Sequence, residues 1–183
     1  YDFADVRSGA WYYGDVMYAA ENGLMNGTSG RTFSPLENLT RAQLTAVLYR
    51  MDGSPAVSGT CSFTDAKRGA YYADALVWAE RNALVNGYGS GAFGVGDAIT
   101  REQLVTILYR YAAYKGIDVS ARADLSGYRD AEKISGYARD AFGWAVEAGL
   151  IRGSGDLLNP QGRTTRAEYA AIAARFHKTF IAK

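Results

Sequence analysis

Three arginines stand at the same point of the same phrase: Arg41 in LTRAQL (39–44), Arg101 in ITREQL (99–104) and Arg166 in TTRAEY (164–169). In each, a Thr is followed three residues later by Gln or Glu and then by an apolar run. That is a capping box. The Thr hydroxyl accepts from the backbone N–H at the third helical position, and the Gln or Glu side chain reaches back to the N–H of the Thr. The phrase therefore starts a helix, but the cap does not explain the Arg. At the first helical position a cation meets the partial positive charge of the helix terminus, where Asp or Glu is favoured. One reading is an anion site, with Arg beside open N–H groups ready to grip a negative ligand. The other is an internal ion pair, with Asp5, Asp65 or Asp130 as partner. The residues leave both open, and the two are compatible.

Around each Arg the same landmarks recur in order. Phe3–Asp5 matches Phe63–Asp65 and Tyr128–Asp130, and an aromatic follows each: Trp11, Tyr71, Tyr137. Next come Ala19 to Leu24, Ala79 to Leu84 and Ala145 to Leu150. Then come Gly27, Gly87 and Gly153, followed by FSPL (33–36), FGVG (93–96) and LNPQ (158–161). Copies one and two align without gaps. Copy three takes one extra residue before its first helix and one fewer in its loop. This places repeats at 1–51, 63–115 and 128–180, with linkers 52–62 (DGSPAVSGTCS) and 116–127 (GIDVSARADLSG) whose small polar residues read as loops.

Positioning these landmarks takes two helices per repeat. In the first, Val16, Ala19, Gly23 and Leu24 recur at helical spacing, as do Leu76, Ala79, Ala83, Leu84 and Phe142, Ala145, Gly149, Leu150. In the second, Leu44, Val47, Leu48, Met51 fall at i, i+3, i+4, i+7. Leu104, Ile107, Leu108, Tyr111 and Tyr169, Ile172, Ala173, Phe176 do the same. A Gly-rich loop of about a dozen residues separates the two helices, long for a bare connection. One helical pair cannot bury its own apolar face, so the repeats should share one core, making 1–183 a single all-α domain.

The composition removes several classes of function. Lys plus Arg is 20 and Asp plus Glu is 19, so the net charge of +1 gives no footprint for nucleic acid or an acidic membrane. With 48% apolar and 21% charged residues the chain is globular, not disordered. The single Cys61, in a linker, admits no internal disulfide and no cysteine metal site. No apolar run is long enough to span a bilayer. The chain begins at Tyr1 with no signal peptide before it, so it reads as a mature form or a piece of something longer. For catalysis, no carboxylate pair recurs, and no phosphate loop of the G-x-x-x-x-G-K-[ST] form occurs. The one histidine, His177, is unrepeated and reads as a surface residue at a helix end. The chain is therefore read as a non-enzyme without metal or cofactor.

The ordered set F-x-D, aromatic, helix, G-L-x-x-G, F-x-P and T-R-A-[EQ], in three tandem copies, closely resembles the S-layer homology (SLH) domain, over nearly the whole chain. The resemblance implies a pseudo-threefold, three-pronged spindle. The three second helices would form a central three-helix bundle, with the first helices and loops as prongs. It further implies non-covalent attachment of a larger surface protein to the bacterial cell envelope. The partner would be a secondary cell-wall polysaccharide, often bearing a pyruvate ketal, held in grooves between prongs where the Arg of T-R-A-E meets the carboxylate. Neither nucleic acid nor membrane insertion is implied.

Carried onto this chain, the ligand-binding candidates are Arg41, Arg101, Arg166, Trp11, Tyr71, Tyr137, Gly27, Gly87, Gly153, Asp5, Asp65 and Asp130. Plainer readings stand beside them. Trp78 and Trp144, equivalent to Tyr18, sit at core spacing. The three glycines are equally consistent with ending the first helix in a left-handed turn. The aspartates read first as loop braces or partners of the Arg. A protein-interaction or self-assembly module is the alternative function. The copies also differ. Val95 replaces Pro35 and Pro160, Ala83 replaces Gly23 and Gly149, Arg152 replaces Asn26 and Asn86, and Leu158 replaces a Phe. Unequal grooves are expected, with copies one and two the better ligand contacts and Arg152 a further anion contact.

Overall fold

A computed structural model describes residues 1–182 of the chain. It holds six α-helices and, among the described residues, no extended strands. They are α1 (Tyr13–Glu21), α2 (Arg41–Met51), α3 (Ala73–Arg81), α4 (Arg101–Tyr114), α5 (Arg139–Glu147) and α6 (Arg166–Phe176). Two short 3-10 turns, Ala131–Lys133 and Gly136–Ala138, precede α5, and a π turn, His177–Ile181, follows α6.

The second helix of each repeat starts as its sequence dictates. Thr40, Thr100 and Thr165 are extended N-caps, and in each the reciprocal capping box is complete. The first helices end earlier than their apolar period runs. Gly23, Ala83 and Gly149 lie past the helix in the left-handed region, at φ of 67°, 54° and 68°. Their N–H groups donate to Ala20, Glu80 and Val146, and the next residues, Leu24, Leu84 and Leu150, donate to Ala19, Ala79 and Ala145. These are Schellman stops that fold an apolar residue back onto the helix. Only copy two places a side chain at the left-handed position. Ala83→Gly should therefore raise stability by about 1 kcal/mol, which a urea midpoint would register as an upward shift with unchanged slope.

The helices pack between repeats, not within them. α3 lies along α2, α5 along α4, and α1 along α6, so each first helix covers the second helix of the preceding repeat, cyclically. The second helices turn equivalent residues inward. Leu44, Leu104 and Tyr169 are fully buried, as are Leu48, Leu108 and Ala173. At the far end the Tyr111 ring packs on Phe176, centroids 5.7 Å apart. At the near end a closed ring of three backbone hydrogen bonds ties the helix starts together. Leu39 N donates to Thr164 O (2.8 Å), Thr164 N to Ile99 O (3.2 Å) and Ile99 N to Leu39 O (2.9 Å), with all three residues fully buried. Trp78 and Trp144 belong to this core, at 3% and 2% exposure.

Both linkers are irregular but fastened. Asp52 opens the first and accepts from Trp78 Nε1 (3.2 Å), Tyr114 Oη (3.2 Å) and Lys115 Nζ (2.7 Å). The second packs Ile117, Val119 and Leu125 against the core. His177 is half-buried rather than a free surface residue, its Nδ1 sharing a 2.9 Å hydrogen bond with the Tyr18 hydroxyl.

Candidate functional site

The repeated Arg reaches out of its own repeat. Arg41 donates from Nε to Phe93 O (2.8 Å) and from Nη2 to Asn86 O (2.9 Å). Arg166 does the same to Phe33 O (2.8 Å) and Asn26 O (2.9 Å). Arg101 donates to Leu158 O (2.8 Å) and more loosely to Arg152 O (3.3 Å). Repeat one thus clamps the loop of repeat two, two clamps three, and three clamps one. Arg41 and Arg166 are 5% and 4% exposed, with their guanidinium carbons 4.6 and 4.7 Å from the centroids of Phe93 and Phe33. Leu158 gives Arg101 no such ring. Burial pushes all three arginines below the ordinary value of the side chain.

The helix starts beside these arginines are closed at α4 and α6 and half-closed at α2. The backbone N–H groups of Arg41, Arg101 and Arg166 donate to Asp97 O, Gly162 O and Glu37 O, and those of Glu102 and Ala167 to Pro160 O and Pro35 O. At α4 and α6 both N–H groups are taken, so expecting free donors beside the Arg is a misreading of the phrase there; at α2 the N–H of Arg41 is taken and that of Ala42 has no partner among the described residues. The loop of a neighbouring repeat supplies the acceptors, because cyclic packing carries its carbonyls onto the helix end.

The internal ion pair is absent too. Among the described residues no carboxylate of Asp5, Asp65 or Asp130 pairs with these arginines. Each instead braces its own loop. Asp5 accepts from Phe33 N (2.8 Å) and Ser34 N (2.7 Å), and Asp130 from Leu158 N (2.8 Å) and Asn159 N (2.7 Å). Asp65 accepts from Phe93 N (2.7 Å), Gly94 N (2.8 Å) and also Val95 N (3.0 Å), a donor that Pro35 and Pro160 lack. Aspartate and arginine therefore hold one residue from both sides: Asp5 takes the N–H of Phe33 while Arg166 takes its carbonyl.

Gly27, Gly87 and Gly153 close the loops in a different way. None is left-handed, since Gly23, Ala83 and Gly149 already end the first helices. A Cβ on Gly27 would lie 2.5 Å from Thr32 O and 2.9 Å from the Phe3 ring, and one on Gly87 or Gly153 would meet Phe63 or Tyr128 at 2.8 or 2.7 Å. The glycine lets the loop backbone lie flat on the aromatic of F-x-D, which is the reason for that aromatic.

These braces leave three equivalent grooves, each built by all three repeats. Groove 1, about 390 Å³, takes Asn26, Gly27 and Thr28 from its loop, Gln43, Val47 and Arg50 from α2, Tyr71 from repeat two and Arg166 from repeat three. Groove 2, about 300 Å³, is lined correspondingly by Gly87, Gln103, Arg110, Tyr137 and Arg41. Groove 3, about 150 Å³, takes Arg152, Glu168, Arg175, Trp11 and Arg101. Trp11, Tyr71 and Tyr137 are well exposed, at 66%, 61% and 58%. Of these three, Tyr137 alone is tethered to a carboxylate. Its hydroxyl donates to Glu102 Oε1 (3.1 Å), and Glu102, buried, also accepts from Ser135 N and Oγ. Burial and this carboxylate push Tyr137 up to about 12. Ala42 and Ala167 stand where Glu102 does, so Tyr71 and Trp11 have no such tether.

The grooves bring in a second arginine that the sequence reading passes over. Arg50, Arg110 and Arg175 each follow the T-R arginine by nine residues, a spacing visible in all three copies. Each donates from Nη1 to the carbonyl after a first helix: Leu24 O (3.4 Å), Leu84 O (3.4 Å) and Leu150 O (3.1 Å). Each of these arginines also lines a groove. A groove thus offers two guanidiniums, an exposed aromatic face and a glycine-flattened backbone, a set suited to an anionic sugar. It offers no general acid–base pair, and among the described residues no cluster of His, Cys, Asp or Glu is arranged to hold a metal. No described helix is long and apolar enough to cross a membrane.

Comparison with known proteins bears on the same elements. The S-layer homology domain family matches the chain three times, at residues 2–45, 62–105 and 127–170, each match running from the F-x-D region into the second helix. An endoglucanase from Bacillus sp. (strain KSM-635) is 32% identical over 94% of the chain, which spans 18% of that protein. The S-layer protein sap of Bacillus anthracis is 27% identical over 97% of the chain and 21% of its own length. A cellulosome-anchoring protein of Acetivibrio thermocellus is 26% identical over 82% of the chain and 34% of its own length. The chain therefore corresponds to a minor part of each of these relatives.

Proposed function

Because this chain belongs to the S-layer homology domain family, we propose that it is a non-catalytic anchor. It holds a larger surface protein to the bacterial cell envelope by binding an anionic secondary wall polysaccharide in its grooves. The observation that carries this reading is the threefold recurrence of an exposed aromatic facing two arginines across a groove. Sugar rings present apolar C–H faces suited to Tyr71 and Tyr137. The unengaged donors of Arg50 and Arg110 suit a carboxylate such as a pyruvate ketal, which a guanidinium grips bidentately. Similar sites on one rigid body multiply weak contacts with a polymer into firm attachment. The relatives fit this use, one named as an S-layer protein, one as an anchoring protein and one as an enzyme far longer than the matched segment. Grooves 1 and 2 have the room for a substituted sugar.

The test is retention on wall sacculi with the polymer attached and with it stripped. Two double variants serve: Tyr71→Ala with Tyr137→Ala, and Arg50→Gln with Arg110→Gln. Each should keep its helical circular dichroism and lose at least tenfold in binding to polymer-bearing walls, about 1.4 kcal/mol. Equal binding to stripped walls, or variants that bind like the parent, would overturn the proposal in favour of a protein partner.

A further inference from the structure

We propose that groove 3 is a distinct site for a compact dianion, a phosphate group held by Arg101, Arg152 and Arg175. Groove 3 has about 150 Å³ against about 390 and 300 Å³ in its counterparts, too little for the ligand they suit. What it loses in room it gains in cations. Arg152 stands where the other grooves have Asn26 and Asn86. The fold uses only the carbonyl at this position, as acceptor for the T-R arginine of the preceding repeat, in all three copies. The Arg152 side chain has no structural task there. Its guanidinium has no hydrogen-bond or ion-pair partner among the described residues.

The charges in the groove leave a place for an anion. Glu168 is its one carboxylate; it accepts from Thr165 N (2.7 Å) in the capping box and offsets Arg101. Arg152 and Arg175 both line the groove, and the one carboxylate that offsets Arg175, Asp15, lies outside the lining. The repulsion is felt at Arg175, whose value is pushed down by burial and then by Arg152. Donors remain unengaged on all three: Nη1 of Arg101, Nε and Nη2 of Arg175, and the whole fork of Arg152. A carboxylate brings one charge and two oxygens. A phosphate brings up to two charges and three or more oxygens, which three forks converging on a small volume can satisfy together.

The test titrates the full chain with inorganic phosphate at constant ionic strength, with acetate as the monoanion control. Fluorescence and thermal midpoint are the readouts. Trp11 lies in groove 3 and is exposed, whereas Trp78 and Trp144 are core residues, so a change in exposed-indole emission reports this groove. Phosphate should saturate, with acetate at least tenfold weaker. Arg152→Asn, which restores the residue of the other copies and keeps the carbonyl, should weaken phosphate at least tenfold without lowering the phosphate-free midpoint. A response that never saturates, is matched by acetate, or survives Arg152→Asn means an adventitious ion only and overturns the site. The source of the phosphate is read on walls. Parent retention that falls after phosphatase treatment, when Arg152→Asn retention does not, marks a phosphate carried by the polymer; unchanged retention beside saturable inorganic phosphate marks a free one. The Arg50→Gln, Arg110→Gln variant should still bind phosphate, so this site stands or fails separately from the sugar grooves.

Discussion

Arg166→Ala should remove about 3 kcal/mol of stability, a large fraction of what a domain of this size possesses. The change strips two charge-assisted hydrogen bonds from the carbonyls of Phe33 and Asn26 and removes the cation from the Phe33 ring. Hydrogen bonds to a charged group contribute about 1.5–3 kcal/mol each, and leaving the carbonyls unpaired adds desolvation. Arg41→Ala should match it, since the two sites share distances and a ring. Arg101→Ala should cost visibly less, because one of its bonds is 3.3 Å long, its platform is Leu158 and the side chain is more exposed. Urea denaturation followed by circular dichroism gives the order directly. If Arg166→Ala falls within 0.5 kcal/mol of the parent, the clamp contributes no stability and its geometry is incidental. Arg166→Lys should not rescue, because one ammonium cannot bridge two carbonyls as a planar fork does. A triple Arg→Ala variant should not stay folded, so lost wall binding in it would say nothing of ligand contact; the second arginines are the ones to change.

Asp65→Asn should cost about 2–3 kcal/mol at neutral pH, and the cost should shrink in acid. Burial pushes Asp65 up, but hydrogen bonds from the N–H groups of Val95, Phe93 and Gly94 outweigh it and hold the carboxyl below its usual value. The native state therefore binds its proton less readily than the unfolded chain. The stability this contributes is fully present above the unfolded value near 3.9 and is lost as pH falls through the lower folded value. An amide offers one acceptor oxygen where the loop presents three donors, so the variant lacks the stabilisation at every pH. Urea midpoints at pH 7 and pH 3 should show the gap between parent and variant narrowing. A gap independent of pH would mean the ionised carboxylate is not what holds the loop. Asp130, lowered in the same manner by Leu158 and Asn159 N–H after burial pushes it up, should follow.

Much of this protein is written in short-range pattern. The capping boxes, the buried stripes of the second helices, the core placement of Trp78 and Trp144 and the exposed positions of Trp11, Tyr71 and Tyr137 depend on residues within a few turns of one another. Hydrophobic period and capping chemistry report such distances faithfully. The second arginines are equally legible, repeating nine residues after the first, but the apolar face of the helix that carries them already accounts for its pattern. The glycine of G-L was legible as well, and the extended apolar period hid it, since a Schellman stop keeps an apolar residue in register beyond the helix end.

The sequence by itself determined three similar helix–loop–helix units, their helix starts, and the residue types that line the grooves. Only the tertiary structure decided which repeat serves which. Three similar units can satisfy the same apolar pattern by pairing α1 with α2 or α1 with α6, and periodicity names a buried face without naming its partner. The cyclic choice sends each Arg into the next repeat's loop and closes the ring of Leu39, Thr164 and Ile99 backbone bonds. It also lays loop carbonyls on the helix ends, filling those of α4 and α6. Because those links run through main-chain carbonyls, which every residue carries, no side-chain pattern could announce them.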